Sequence, residues 1–228
     1  MGNFSGFGPE TIKFLAALGK NNTKAWFDEN RAAYDAHYVT PARDIIEAVA
    51  GPLRKIAPDI CAEPRINGSI FRVNRDIRFS ADKTPYKDHI DIWFWEGPRK
   101  GAVSGFFLRL TATDLIVGAG AHRFDREKLA SWRNAVVAPE TGNQIQKIIE
   151  ALEKKGHSAS GMHYSKLPRG FAPNNPAQEA LLRHNALWVS REQPHPAGTG
   201  SAALVDYCMD YWTDVAPLHR WLTDTLSA

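Results

Sequence analysis

The sequence predicts one α+β domain over residues 1–228, with an antiparallel sheet of about four to six strands flanked by N- and C-terminal helices. Three observations predict this class. Apolar residues recur at helical spacing before residue 57 and again after residue 125. Between residues 65 and 120 the period changes to two, and aromatic and β-branched residues are frequent there. The segment 112–114 is short enough for a hairpin, which joins antiparallel neighbours.

The helical pattern begins near Pro9, which suits the first turn of a helix because the N–H that proline lacks would have no partner there. Asn21 or Asn22 is predicted to cap a second helix, since a short polar side chain can accept a bond from the first turn. Pro52 lies within the third helical segment and is expected to break or kink it, because its ring clashes with the preceding turn.

The remaining elements follow from the same two periods. Strands are predicted at residues 66–73, 89–95, 104–111, 115–119, near 162–166, and at 187–190. Further helices are predicted at residues 125–137, 143–155 and 176–185, and after Ser201. Pro139 is expected to separate two of these helices, and Pro217 is expected to break the last one.

Composition restricts the class of protein. The chain has 28 Lys+Arg and 25 Asp+Glu, and this net charge of +3 is too small for a dedicated electrostatic nucleic-acid binder. A hydrophobic content of 43% excludes a disordered or fibrous chain. Cys61 and Cys208 are too few for a disulfide framework and are predicted to form no disulfide. Because no signal-peptide pattern and no apolar run of about 18–20 residues is found, we expect a cytoplasmic protein with no membrane partner.

The strongest local signal is a basic segment between residues 65 and 87. Its six Lys or Arg residues and two Asp residues give it a charge of +4, which exceeds the net charge of the whole chain. Arg presents a planar fork that matches a phosphate or carboxylate, Lys adds a mobile charge, and hydroxyl groups add donors. The residues predicted to bind a ligand here are Arg72, Arg75, Asp76, Arg78, Ser80, Asp82, Lys83, Tyr86 and Lys87.

Three interpretations of this segment are open. In the first, Arg75, Arg78 and Lys83 converge on one concave site for a small anionic ligand that bears a phosphate or carboxylate. Asp76 and Asp82 then hold these cations in place. In the second, the segment is an internal salt-bridge clamp within a structural or partner-binding module, because an ordered loop must satisfy its polar groups. In the third, which the low net charge disfavours, the cations contact nucleic-acid phosphates.

The sequence assigns no reaction, cofactor, metal or oligomeric state. Asp76, Asp82 and Tyr86 are the candidates for acid–base chemistry in the basic segment, but no nucleophile–base pair is recognisable, so the chain is not assigned as an enzyme. His89 and Asp91 alternate on one face of a predicted strand. Two ligands do not make a metal site, and a structural role for the histidine is favoured.

Several stretches of the sequence together match a known family pattern. The most specific is the run at residues 75–87, which reads RDIRFSADKTPYK. The others are residues 21–27 with Arg31 and Tyr34, residues 106–120, and residues 166–171 with Pro176, Leu182 and Arg183. Together these stretches closely resemble the DUF2461 family of uncharacterised proteins, although Thr23 stands where the family pattern has a basic residue. The resemblance covers nearly the whole chain, and it supports the fold and the position of the site without implying a reaction.

Overall fold

The computed structural model describes residues 4–99 and 103–226 of the chain. Its α-helices are α1 (Pro9–Lys20), α2 (Lys24–Glu29), α3 (Arg31–Tyr34), α4 (Thr40–Ile56), α5 (Arg126–Val137), α6 (Pro139–Lys154), α7 (Pro176–Leu182) and α8 (Ala203–Leu226). A π-helical turn, Asp35–Val39, joins α3 to α4. Its strands are β1 (Ile60–Cys61), β2 (Ile90–Glu96), β3 (Gly105–Leu110), β4 (Asp114–Ala121), β5 (Ala159–Met162) and β6 (His184–Pro194).

The six strands form one antiparallel sheet in the order β1-β2-β3-β4-β6-β5. Helices precede and follow the strands along the chain, so the predicted α+β class is confirmed. At the β5 edge, Ala159 of β5 lies opposite Val189 of β6, and the register shifts between Ser160 and Met162.

The described residues group into two compact units. The first comprises residues 4–94, Phe107–Val117 and Glu192–Asp210, and the second comprises residues 95–99, 103–106, Gly118–Arg191 and 211–226. Organisation as a single domain stays a prediction.

The core of the first unit contains a run of packed aromatic rings. Tyr34 lies 5.0 Å from both Phe27 and Tyr38, measured between ring centroids, and all three side chains are buried. In the second unit, the indole of Trp132 lies 5.3 Å from the Phe124 ring and donates to the carbonyl of Leu181 at 3.0 Å.

Two predictions about where helices begin were wrong. Thr23 caps α2 in place of Asn21 or Asn22, and its hydroxyl accepts the N–H of Trp26 at 3.3 Å. Pro139 begins α6, where its missing donor needs no partner, so α6 starts earlier than predicted.

Two interior prolines do not end their helices. Pro52 lies within α4 and Pro217 within α8, and both helices continue past the proline. The buried apolar stripe of α4, including Ile46, Val49 and Leu53, continues through this point, so packing outweighs the lost backbone bond.

The predicted strand at residues 66–73 is not continuous. Asn67 has a φ of 63°, and its N–H donates to Ile70 O at 2.9 Å, so a tight turn interrupts the extended backbone. Beyond this turn, Ile70 forms an isolated antiparallel bridge with Ile92 of β2. The segment therefore lines the edge of the sheet without forming a regular strand.

No helix in the described ranges is both long and apolar enough to span a bilayer.

Candidate functional site

The basic segment folds as an irregular hairpin, here called the basic hairpin (residues 72–87). Two backbone bonds join its arms: the N–H of Arg75 donates to Pro85 O at 2.9 Å, and the N–H of Lys87 donates to Val73 O at 2.8 Å. These two bonds close the base of the hairpin, so the charged side chains between residues 75 and 85 lie on the turn that connects its arms.

The amide of Asn22 attaches the basic hairpin to the linker between α1 and α2. Its Nδ2 donates to the carbonyl of Tyr86 at 2.9 Å, and its Oδ1 accepts the N–H of Tyr86 at 3.0 Å. The ring of Tyr86 is stacked on Phe27 at 4.2 Å and is 7% exposed. Tyr86 therefore anchors the hairpin in the core of the first unit.

Arg75 ties together the second arm of the hairpin. Its guanidinium donates to the carboxylate of Asp82 and to the hydroxyl of Thr84, and also reaches the Thr84 carbonyl at 3.2 Å. The Thr84 N–H donates to Asp82 at 2.9 Å, and this bond together with Arg75 lowers the pKa of Asp82 to about 2. With a side chain only 27% exposed, Arg75 forms an internal clamp.

Two further cations gather at the hairpin tip (residues 76–84). Arg78 donates to the carboxylate of Asp76 through Nε at 2.9 Å and Nη2 at 2.7 Å, which lowers the pKa of Asp76 to about 2. Lys83 Nζ donates to the carbonyl of Ile77 at 3.0 Å. Because Asp76 and Ile77 are adjacent residues, these bonds bring both cations to the same turn. The Arg78 side chain is nevertheless 76% exposed, and Lys83 is also exposed.

The other predicted ligand-binding residues occupy different environments. Arg72 is exposed, and no described carboxylate lies within 4.0 Å of its guanidinium. Ser80 is half-buried, and its N–H donates to Ile77 O at 3.4 Å. Lys87 faces away from the tip, with Nζ 3.4 Å from Asp91 and 5.0 Å from the centroid of the Phe71 ring.

Asp91 is the centre of a cluster that the sequence analysis did not predict. Its carboxylate accepts from Arg109 Nε at 2.6 Å and also lies 3.4 Å from Lys87 Nζ and 3.3 Å from His89 Nε2. Burial raises the pKa of Asp91, but the bonds from His89 and Arg109 outweigh it and hold the pKa well below its usual range. Arg109 lies on β3, 18 residues from Asp91, so only the sheet register brings the two together.

A second polar cluster lies in the second unit and is enclosed by protein. His219 Nδ1 is 3.0 Å from the hydroxyl of Ser104, and Arg220 approaches Glu96 at 3.4 Å. His219 is 0% and Ser104 is 2% exposed. Burial lowers the pKa of His219 to about 4. With both groups enclosed, this contact is a buried hydrogen bond and not an exposed nucleophile with its base.

Within the described ranges, no group of three or more His, Cys, Asp or Glu residues is placed to hold a metal ion. The predicted structural role of His89 agrees with its two carboxylate contacts, to Asp88 at 3.2 Å and to Asp91 at 3.3 Å.

The comparison with protein families identifies the class of this chain. A family model described as a conserved hypothetical protein, DUF2461, matches residues 10–221. The chain therefore belongs to the DUF2461 family, and the resemblance carried by residues 75–87 is confirmed. No curated protein and no solved structure matches the chain significantly.

Proposed function

We propose that this protein binds a small anionic ligand, bearing a phosphate or carboxylate, at the tip of the basic hairpin. The observation that carries the proposal is the placement of Arg78 and Lys83, which bond to the adjacent residues Asp76 and Ile77. Each cation keeps N–H groups beyond those bonds, because a guanidinium has five donors and an ammonium has three. Exposed donors held at one turn suit an oxyanion, and such charge-assisted bonds contribute roughly 1.5–3 kcal/mol each.

The balance of charge in the hairpin supports the proposal. Asp82 and Asp76 neutralise Arg75 and Arg78, respectively. Lys83 is bonded to a neutral carbonyl. Arg72 is a further cation for which the described residues provide no ion pair. Positive charge that the fold leaves without carboxylates favours a soluble anion nearby.

An internal clamp is the second candidate function, and Arg75 is the observation that favours it. This guanidinium is largely covered, and its Nη1 donates to Asp82 and Thr84. The two functions are compatible, because Arg75 can fix the shape of the turn while Arg78 and Lys83 contact the ligand. We assign Arg75 to positioning, and Arg78 and Lys83 to direct contact.

Thermal-shift measurements at matched ionic strength test the proposal. Phosphate, sulfate, nucleotides and dicarboxylates are compared with chloride for the wild type, Arg78→Ala and Arg54→Ala. Arg78→Ala should fold normally, because Arg78 is exposed and bonds only to a residue two positions away among its described contacts. Arg54→Ala is the matched control, since it removes an exposed arginine from the last turn of α4.

The expected result is saturable stabilisation by at least one of these anions that Arg78→Ala removes and Arg54→Ala keeps. If none of the anions stabilises the wild type beyond chloride, the ligand proposal is wrong. If Arg78→Ala also unfolds the protein, the hairpin is a structural clamp.

Cytoplasmic location also remains our proposal. It is supported by the low cysteine content of the chain, because two residues, Cys61 and Cys208, are too few for a disulfide framework, as is typical of proteins in a reducing compartment.

A further inference from the structure

Phe79 is the most exposed large apolar side chain in the described part of the protein. Its side chain is 95% exposed at the hairpin tip, compared with 59% for Met162 and 36% for Phe71. Most large apolar residues described here are buried, so an aromatic ring in solvent next to charged groups requires an explanation.

Residues before and after Phe79 form hydrogen bonds within the turn that carries its exposed ring. The preceding residue, Arg78, is attached to Asp76 by two hydrogen bonds. On the following side, Lys83 is attached to Ile77. The turn is therefore fixed by polar contacts that do not involve the phenyl ring, and the exposed ring lies beside the guanidinium of Arg78.

The guanidinium carbon of Arg78 lies 5.8 Å from the centroid of the Phe79 ring. At this distance the cation is attracted to the electrons of the ring. An anion bound by the remaining donors of Arg78 would consequently lie beside an aromatic surface. Inorganic phosphate would use the cations and leave this surface in water.

We infer that the ligand carries an aromatic ring next to its phosphate or carboxylate, and that this ring stacks on Phe79. The inference rests on the proposed anion-binding function. A nucleoside monophosphate has the required combination, because its base can stack while its phosphate contacts Arg78 and Lys83. Stacking of one base on one aromatic side chain changes affinity by about fivefold to a hundredfold.

Isothermal titration calorimetry with three probes tests the inference. Inorganic phosphate, ribose 5-phosphate and AMP share the anion, and only AMP has the ring. For the wild type we expect AMP to bind about tenfold more tightly than ribose 5-phosphate. Phe79→Ala should abolish this difference between AMP and ribose 5-phosphate, and Phe79→Trp should keep it. Met162→Ala is the matched control, since it removes another exposed apolar side chain outside the hairpin.

The outcomes separate this inference from the proposed function. Equal affinity of the wild type for AMP and ribose 5-phosphate would overturn the stacking inference and leave anion binding intact. A preference for AMP that persists in Phe79→Ala would overturn it as well. Failure of all three probes, together with the anions of the thermal-shift series, would overturn both. An affinity for oligothymidylate that grows with strand length and exceeds that for AMP would replace the small ligand with a nucleic-acid strand.

Discussion

Asn22 and Tyr86 are 64 residues apart in the chain, yet the side-chain amide of the first satisfies both backbone polar groups of the second, at 2.9 and 3.0 Å. An amide is suited to this contact because it carries one acceptor and two donors in a single plane. The contact fixes one arm of the basic hairpin to the helical part of the first unit.

Asn22→Ala should therefore destabilise the protein by about 2 kcal/mol, because it leaves a part-buried N–H and carbonyl without partners. Urea unfolding measures the change, and hydrogen exchange at the Tyr86 amide should become faster. Asn21→Ala is the control, because the exposed Asn21 side chain follows α1 and donates to Ala17 O in the last turn of that helix. Equal stability of the two variants would show that the contact does not hold the hairpin.

The carboxylates of the hairpin tip should titrate unusually low. The hydrogen bonds from Arg78 lower the pKa of Asp76 to about 2, and those from Thr84 and Arg75 do the same for Asp82. Both pKa values lie below the unfolded value of about 3.9. The stabilisation that these ion pairs give the folded protein is therefore complete above about pH 3.9 and is lost as the pH falls towards about 2. Carbon-detected NMR of the carboxyl groups measures both pKa values directly.

Arg78→Ala gives an internal control for this titration. It should return the pKa of Asp76 towards its ordinary value and leave Asp82 at about 2. Two ordinary pKa values in the wild type would mean that the tip is not ordered in solution as the structure describes.

Asp91→Asn should destabilise the protein by about 2–4 kcal/mol, because Arg109, Lys87 and His89 would lose the largely buried carboxylate that they share. Asp88→Asn should change the unfolding free energy much less, since Asp88 is 61% exposed and its carboxylate lies 3.2 Å from His89 Nδ1. Denaturant unfolding compares the two variants. A loss below about 0.5 kcal/mol for Asp91→Asn would contradict the role of this carboxylate as the centre of the cluster.

The buried His219 predicts a pH dependence of stability in a higher pH range than that of the tip carboxylates. Burial lowers its pKa to about 4, with Arg220 adding to the effect, whereas the unfolded value is about 6.5. Glu96, 3.7 Å from Nε2, favours the charged ring, but it is paired with Arg220 and burial outweighs it. Between these two pH values the unfolded chain binds more protons than the folded protein.

The contribution of His219 to stability is therefore complete above about pH 6.5 and falls by roughly 3 kcal/mol as the pH decreases to about 4. Chemical unfolding between these pH values measures the slope. His219→Asn, whose amide can keep a contact with Ser104, should flatten it. The same slope in this variant would assign the pH dependence to other groups.

The sequence predicted much of the fold because the apolar residues that a helix or strand buries recur at the spacing of that element. The alternation in β2, where Ile90, Ile92 and Phe94 are buried, is an example. The errors lie where tertiary packing decides the structure. Pro52 and Pro217 were expected to interrupt their helices, but both helices continue past the proline because their buried faces are packed. At residues 66–73, apolar composition suggested a strand, but the positive φ of Asn67 ends it.

The candidate site was predictable only in its local part. The pairing of Arg78 with Asp76 and of Arg75 with Asp82 joins residues that are close in sequence and of opposite charge. Contacts between distant segments, such as that of Arg109 with Asp91, depend on strand register, for which the sequence has no local signal.

A phosphate titration followed by amide NMR tests most directly whether the hairpin tip binds anions. Inorganic phosphate is added to the wild type and to Arg78→Ala at constant ionic strength, with chloride as the reference. We predict saturable shifts centred on the amides of residues 76–84 in the wild type, and their loss in Arg78→Ala while the rest of the spectrum stays unchanged. Shifts that are absent from the tip, or that are the same in both proteins, would contradict the account.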